Sequence, residues 1–134
     1  MCYHVRFPQA VTLSMIIVKG SFPIKADQQP VALDLVQSLA SASRKEPGCL
    51  SYEVYVQADE PRVIMVWQQW SSLDALELHF GSDHVDAFLD AIPDLIDGDV
   101  QSARYDVTSV DGEPVIEEAK EIAPVVLAGN ITVH

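Results

Sequence analysis

Residues 62–70, RVIMVWQQW, are apolar on both faces of any strand they form: Val63, Met65 and Trp67 share one, Ile64, Val66 and Trp70 the other. Side chains alternate across a strand, and a strand that is apolar on both sides must be covered on both sides. A layer of helices covers one face. Something else must cover the second.

The flanking sequence supplies the partners. VTLSMIIVKGSFPI, 11–24, is β-branched and apolar, which predicts a first strand. Gly20 interrupts it and marks a bulge or a close approach by another group. ADQQP reads as a helix start, with Asp27 as the cap. Val31, Leu35 and Leu39, with Val36 beside them, make the apolar stripe of a helix over 28–45. EPG ends that helix, and CLSYEVYVQ, 49–57, alternates as a second strand with Leu50, Tyr52, Val54 and Val56 on one face. ADEP turns the chain into the strand at 62–70. Ser71 with Asp74 reads as a capping-box variant opening a helix over 72–80, with Leu73, Leu76 and Phe80 inward. Ser82 caps another over 83–91, with Val85, Phe88 and Leu89 inward. VQSARYDVTSV, 100–110, is a fourth strand.

The order β-α-β-β-α-β predicts an α+β fold, a ferredoxin-like split βαβ unit with an antiparallel sheet. Its helices clad one sheet face. The bare apolar face is too large for a lone subunit to expose, so the expected partner is a second copy, sheet against sheet, forming a dimeric α/β barrel. Residues 1–10 form an N-terminal extension, 11–110 the domain, and 111–134 a C-terminal extension. The first half of that extension reads as one short helix. Its second half, APVVLAGNITV, is apolar enough to dock on the chain's own sheet edge or on the partner.

With 134 residues the chain suits one domain with a core of its own. Twenty acids against eight bases give a formal charge of −12, which repels nucleic acid and anionic membranes. No run of about 18 apolar residues spans a membrane. The first residues lack the pattern of a secretory signal, so the expected location is the cytoplasm. Cys49 reads as a small buried hydrophobe rather than a nucleophile. No phosphate loop, nucleophile elbow, or flavin or nicotinamide fingerprint is present. His79 and His84 are five residues apart, and no third ligand stands at a metal-binding spacing. The expectation is no metal and no cofactor.

EPGCLSYEVY, then VIMVWQQWSSLDALELHFGSDHVDAF and IPDLI, resemble the antibiotic-biosynthesis monooxygenase domain, with its small quinol and anthrone monooxygenases. The resemblance rests on Gly48-Cys49, Trp70, His79, and Ser82-Asp83-His84 with Phe88. It implies the same dimeric fold and a ligand held between helices and sheet. Members that oxidise aromatic polyketides carry an Asn four residues before the strand-ending Trp, where Val66 stands here. The haem-degrading branch needs an Asn on the first strand, absent here, and a His ligand where Leu89 falls.

What the resemblance implies is a cofactor-independent monooxygenase that oxidises a hydroquinone or phenolic substrate with O2. Its catalytic residues would be His79, as base, and Trp70; Tyr52, Phe80, His84 and Phe88 would contact the substrate. Imidazole titrates in the range such a base needs. Two other readings share the fold. One is an isomerase of a small enolisable ketone or lactone, which needs the base but no oxygen. The other is a non-enzymatic dimer that binds a small quinol-like molecule.

Overall fold

A computed structural model describes the backbone of residues 12–110, 113–120, 126–127 and 131–132, and the side chains of residues 14–108. The extension at 1–10 lies outside the described residues. The elements are β1 (Thr12–Pro23), α1 (Gln29–Ser43), β2 (Cys49–Gln57), β3 (Glu60–Trp70), α2 (Leu73–Phe80), α3 (Asp83–Ala91), β4 (Gln101–Val110) and β5 (Glu113–Lys120). Short 3-10 turns at Ala26–Gln28 and Ile92–Leu95 join them, and the two-residue strands Val126–Leu127 and Ile131–Thr132 pair with each other.

The sheet is antiparallel, in the order β2-β3-β1-β4-β5. The first four strands are the split βαβ arrangement. β5 extends the sheet beyond β4, so residues 113–120 form a strand where a helix was expected. EPVIEEAK has little intrinsic strand preference, but the open edge of β4 offers backbone partners, and such pairing overrides local preference. Residues 113–120 thus take one edge of the sheet, and the expected docking of APVVLAGNITV falls largely outside the described residues. No helix among the described residues is long and apolar enough to cross a membrane.

The register sets what lies under the helices. Ile16, Val18 and Gly20 of β1 stand opposite Trp70, Gln68 and Val66 of β3. All six are buried, and they form the floor on which the helices rest. On the other face Val63, Met65 and Trp67 of β3 and Ile17 of β1 are half-buried.

The helices differ from expectation in phase and capping. α1 buries Ala32, Val36, Leu39, Ala40 and Ser43, while Val31 is exposed: the inward stripe lies one position on from the one expected. Small residues at 32, 40 and 43 bring the helix close to the sheet, where the periodicity of large side chains alone is misleading. Asp27 sits in the 3-10 turn and caps nothing; α1 starts after Gln28 with Pro30 in its first turn. The cap of α2 is Ser72 rather than Ser71, its hydroxyl accepting from the Ala75 N–H at 3.1 Å. α2 buries Ala75, Leu76 and His79, and leaves Leu73 and Phe80 partly exposed. The β2 face also departs from simple alternation. Tyr52 is buried, but Leu50, at the register shift between Cys49 and Ser51, and Val56, at the end of the regular pairing on the edge strand, are exposed.

Candidate functional site

Trp70 and Gln68 lie two apart on β3 and therefore point to the same face. The Trp70 indole N–H donates to Gln68 Oε1 at 2.9 Å. Beside them Gly20 leaves the floor open. A Cβ at position 20 would meet Val66 Cγ2 at 3.0 Å, so Gly20 marks a close approach, and its pairing with Val66 and Ser102 runs without a bulge.

His79 comes down on this floor from the buried face of α2. The helix ends immediately after it: the Gly81 N–H returns to the Glu77 and Leu78 carbonyls, and Ser82 Oγ donates to the His79 carbonyl at 2.6 Å. The turn starts α3 at once, which brings His84 to within 6.0 Å of His79, ring to ring. The third member comes from another part of the chain. After α1, Gly48 takes φ +87 and packs against α2, where an added Cβ would stand 2.5 Å from Ala75 Cβ. A side chain fits neither that dihedral nor that space. The close approach carries Glu46 to the histidines.

Glu46 Oε2 lies 2.7 Å from His79 Nδ1 and 2.6 Å from His84 Nε2. An ionised carboxylate only accepts, so both ring nitrogens present their protons to it. In neutral His79 the lone pair is then on Nε2. Burial lowers the His79 pKa, and the hydrogen bond and charge of Glu46 oppose that only in part. The imidazole is therefore neutral at neutral pH and available as a base. Three ligand-type atoms, one each from Glu46, His79 and His84, lie within 4.8 Å of one another, so the fold supplies the third potential ligand that the spacing did not.

Above the floor is a cavity of about 100 Å³. Tyr52, His79, Phe80 and Phe88, all singled out from sequence, line it, together with Gln68 and Ser102. Apolar side chains including Val18, Leu39 and Val85 make the rest of the wall. Burial pushes the Tyr52 phenol well above its ordinary range, so it stays protonated. Trp70 and His84 do not line the cavity. Trp70 is fully buried behind His79, with ring centroids 4.6 Å apart. His84 is partly exposed and is held on Glu46. Cys49 is half-buried, and burial together with the charge of Glu46 pushes its thiol up, which suits an unreactive side chain.

Sequence reasoning missed Glu46 and Gln68. Glu46 falls in the EPG helix stop, and its contacts lie 33 and 38 residues away. Gln68 had one available signal: it is the polar residue on the inward parity of β3, between Val66 and Trp70.

A split βαβ sheet roofed by helices, with a carboxylate-held imidazole in the wall of a small apolar cavity, defines the kind of domain. The chain belongs to the antibiotic biosynthesis monooxygenase family, whose model matches residues 15–91. It is 32% identical over 81 residues to an uncharacterized protein of Synechocystis, a match covering 60% of this chain and 55% of that protein. A second match, to an uncharacterized protein of Bacillus subtilis, is 31% identical over 48 residues and covers 36% of this chain and 46% of that protein. The chain thus spans about half the length of the curated relatives it matches. Among solved structures, a Caulobacter crescentus protein provisionally described as an antibiotic biosynthesis monooxygenase is 26% identical with a TM-score of 0.65, covering 69% of this chain and 88% of that one. Rv0793 of Mycobacterium tuberculosis shares the fold at 24% identity and a TM-score of 0.64, over 67% of this chain and 91% of that one.

Proposed function

We propose that the chain oxidises a single-ring hydroquinone or related phenol with O2 and without a bound cofactor. The observation that carries this reading is the His79 imidazole, 2% exposed, with Nδ1 fixed on Glu46 and its ring in the wall of an apolar cavity. About 100 Å³ suits one ring rather than a fused polycycle. Family membership supports the oxygenase reading.

The chemistry follows from the substrate. His79 Nε2 takes the proton of a ring hydroxyl, and the electron-rich phenolate passes one electron to O2. Superoxide and the ring radical combine at a ring carbon, and the proton held by His79 converts the resulting peroxide to a hydroperoxide. Water leaves as that carbon loses its hydrogen, and a carbonyl remains. One oxygen atom stays on the ring and the other departs as water, so no external reductant enters. The protein contributes an apolar pocket, a positioned base and a fixed orientation.

We also propose that the working form is a homodimer. The half-buried outer face bearing Val63, Met65 and Trp67 supports it, as does the dimeric habit of the family.

An oxygen electrode tests the activity. With a panel of single-ring hydroquinones, substrate loss and O2 uptake should match one to one. His79→Ala should lower the rate about 10²–10⁴-fold. Substrate loss without oxygen uptake would point to the isomerase reading instead. Equal rates for wild type and His79→Ala would remove His79 from the mechanism.

A further inference from the structure

We infer that the carboxamide of Gln68 is the oxyanion donor of the cavity, with Trp70 as the residue that orients it, and that the site selects rings bearing a second oxygen besides the one that meets His79. The inference rests on the reading of the cavity as a phenol site, and it adds a recognition element which that reading does not use.

The orientation of the amide is settled by chemistry. An indole nitrogen carries a proton and no lone pair for accepting, so it only donates. The Gln68 atom 2.9 Å from Trp70 Nε1 must therefore be the carbonyl oxygen. The NH2 group is forced to the other side of the amide. Trp70 has no freedom to release it by turning: it is fully buried, and its ring also packs at a tilt against His79.

The NH2 group has no protein partner among the described residues. It is absent from the sealed, unpaired polar atoms there, of which Arg104 Nε is the single case. Its nitrogen therefore reaches open space. Gln68 as a whole is only 6% exposed, and the open space it borders is the cavity. A buried amide with its acceptor spoken for and its donors turned into an apolar pocket is arranged to receive an acceptor from a ligand.

The position suits the reaction. Gln68 rises from the sheet floor, whereas His79 comes from the helix layer. When His79 removes a proton from one ring oxygen, negative charge spreads onto the ring carbons ortho and para to it, and a second oxygen carries charge where it is a conjugated carbonyl oxygen or gives up its own proton as the ring is oxidised. A fixed N–H there stabilises charge as it develops, without reorganisation. One indole thus sets both groups, holding the amide by a hydrogen bond and the imidazole by ring packing. A monohydric phenol gains the base but not the donor, so dioxygenated rings should be preferred.

The test uses 4-nitrophenol as a probe that binds without turnover, and whose phenolate absorption reports hydrogen bonding at its oxygens. The wild-type protein should bind it and shift its absorption maximum. Gln68→Glu keeps an oxygen for the Trp70 N–H and removes the donor. It should weaken binding of the phenolate at least tenfold and abolish the spectral shift. Trp70→Phe keeps the packed ring but frees the amide, and should reduce the shift with a smaller loss of affinity. Wild-type protein that does not bind the probe, or a well-folded Gln68→Glu protein that binds with unchanged affinity and spectrum, would overturn the inference. Should Gln68→Glu fail to fold, the uncharged Gln68→Met decides by the same criteria. His79→Ala separates the two readings: it should keep the Gln68-dependent spectral shift while losing oxygen uptake. A shift that depends on Gln68 in a protein with no oxygenase activity would retain the donor and discard the reaction.

Discussion

The rings of Trp70 and His79 lie 4.6 Å apart and inclined by 34°, yet only the histidine reaches the cavity. The tryptophan fills the space behind it and limits how far the imidazole can tilt. Glu46 fixes the third direction through Nδ1. The imidazole is therefore held by packing on one side and by a charge-assisted hydrogen bond on another.

Removing the charge of Glu46 should move the pH dependence in a definite direction. Burial lowers the His79 pKa and Glu46 raises it. Glu46→Gln retains an acceptor but loses the charge, so the depression should deepen. The acid limb of the pH–rate profile, where His79 gains its proton, should shift to lower pH. The maximal rate should fall by about tenfold or more as the imidazolium loses its counter-charge. A pH series of initial rates on both proteins measures this.

The same depressed pKa links stability to pH. In the unfolded chain His79 takes up a proton near pH 6.5; in the folded protein it does so only at lower pH. The unfolded state thus binds more protons as pH drops below the ordinary imidazole range. The stability contributed by the neutral buried ring is present above that range and is lost as pH falls through the folded value. Urea titrations at pH 7.5 and 5.5 should show a loss at the lower pH that is smaller in His79→Gln.

Gly48 is the hinge on which the cluster depends. Gly48→Ala forces a side chain into the left-handed region and to 2.5 Å from Ala75 Cβ. The dihedral and the overpacking together should cost about 2–4 kcal/mol. Thermal melts should show the loss. The variant should also lose oxygen uptake more steeply than its stability explains, because Glu46 travels with the turn.

Gly20 should be sensitive in a different way. Its missing side chain opens the cavity floor, and a methyl group there meets Val66 at 3.0 Å. Gly20→Ala should raise KM for a ring substrate about tenfold, since one methyl group in a tight pocket is worth that much. The melting temperature should change far less than for Gly48→Ala.

Trp67 stands on the outer face of β3, between Lys19 of β1 and Glu53 of β2. If two copies associate through this face, the wild-type protein sediments as a dimer and Trp67→Glu as a monomer. An interface of this kind needs about 800 Å² from each partner, and a glutamate buried at its centre beside Glu53 carries a desolvation cost that Lys19 offsets only in part. A wild-type protein that sediments as a single chain would exclude the face-to-face dimer.

Much of this architecture can be read from the chain because alternation and turn residues act locally. The strands at 49–57 and 62–70 show their period, and Gly48 and Gly81 stand where the chain turns. His79, Tyr52, Phe80 and Phe88 stand out as scarce ring-bearing residues around the family pattern. What stays hidden depends on distance or on neighbours. Glu46 meets its histidines only after α2 has packed on the turn at Gly48. Gln68 reads as a polar gap in an apolar strand until the indole two residues on gives its oxygen a partner. The inward stripe of α1 is set by alanines and a serine, which large-residue periodicity passes over. EPVIEEAK pairs as a strand because β4 has a free edge, a fact no window of eight residues contains.

At the opposite rim of the sheet, β2 meets β3 with a register slip near each end. Only the stretch between the slips offers a regular row of amides and carbonyls to an incoming chain. A rim broken in this way is a poor template for runaway strand addition, so stray copies of the protein are discouraged from zipping together end on end into aggregates.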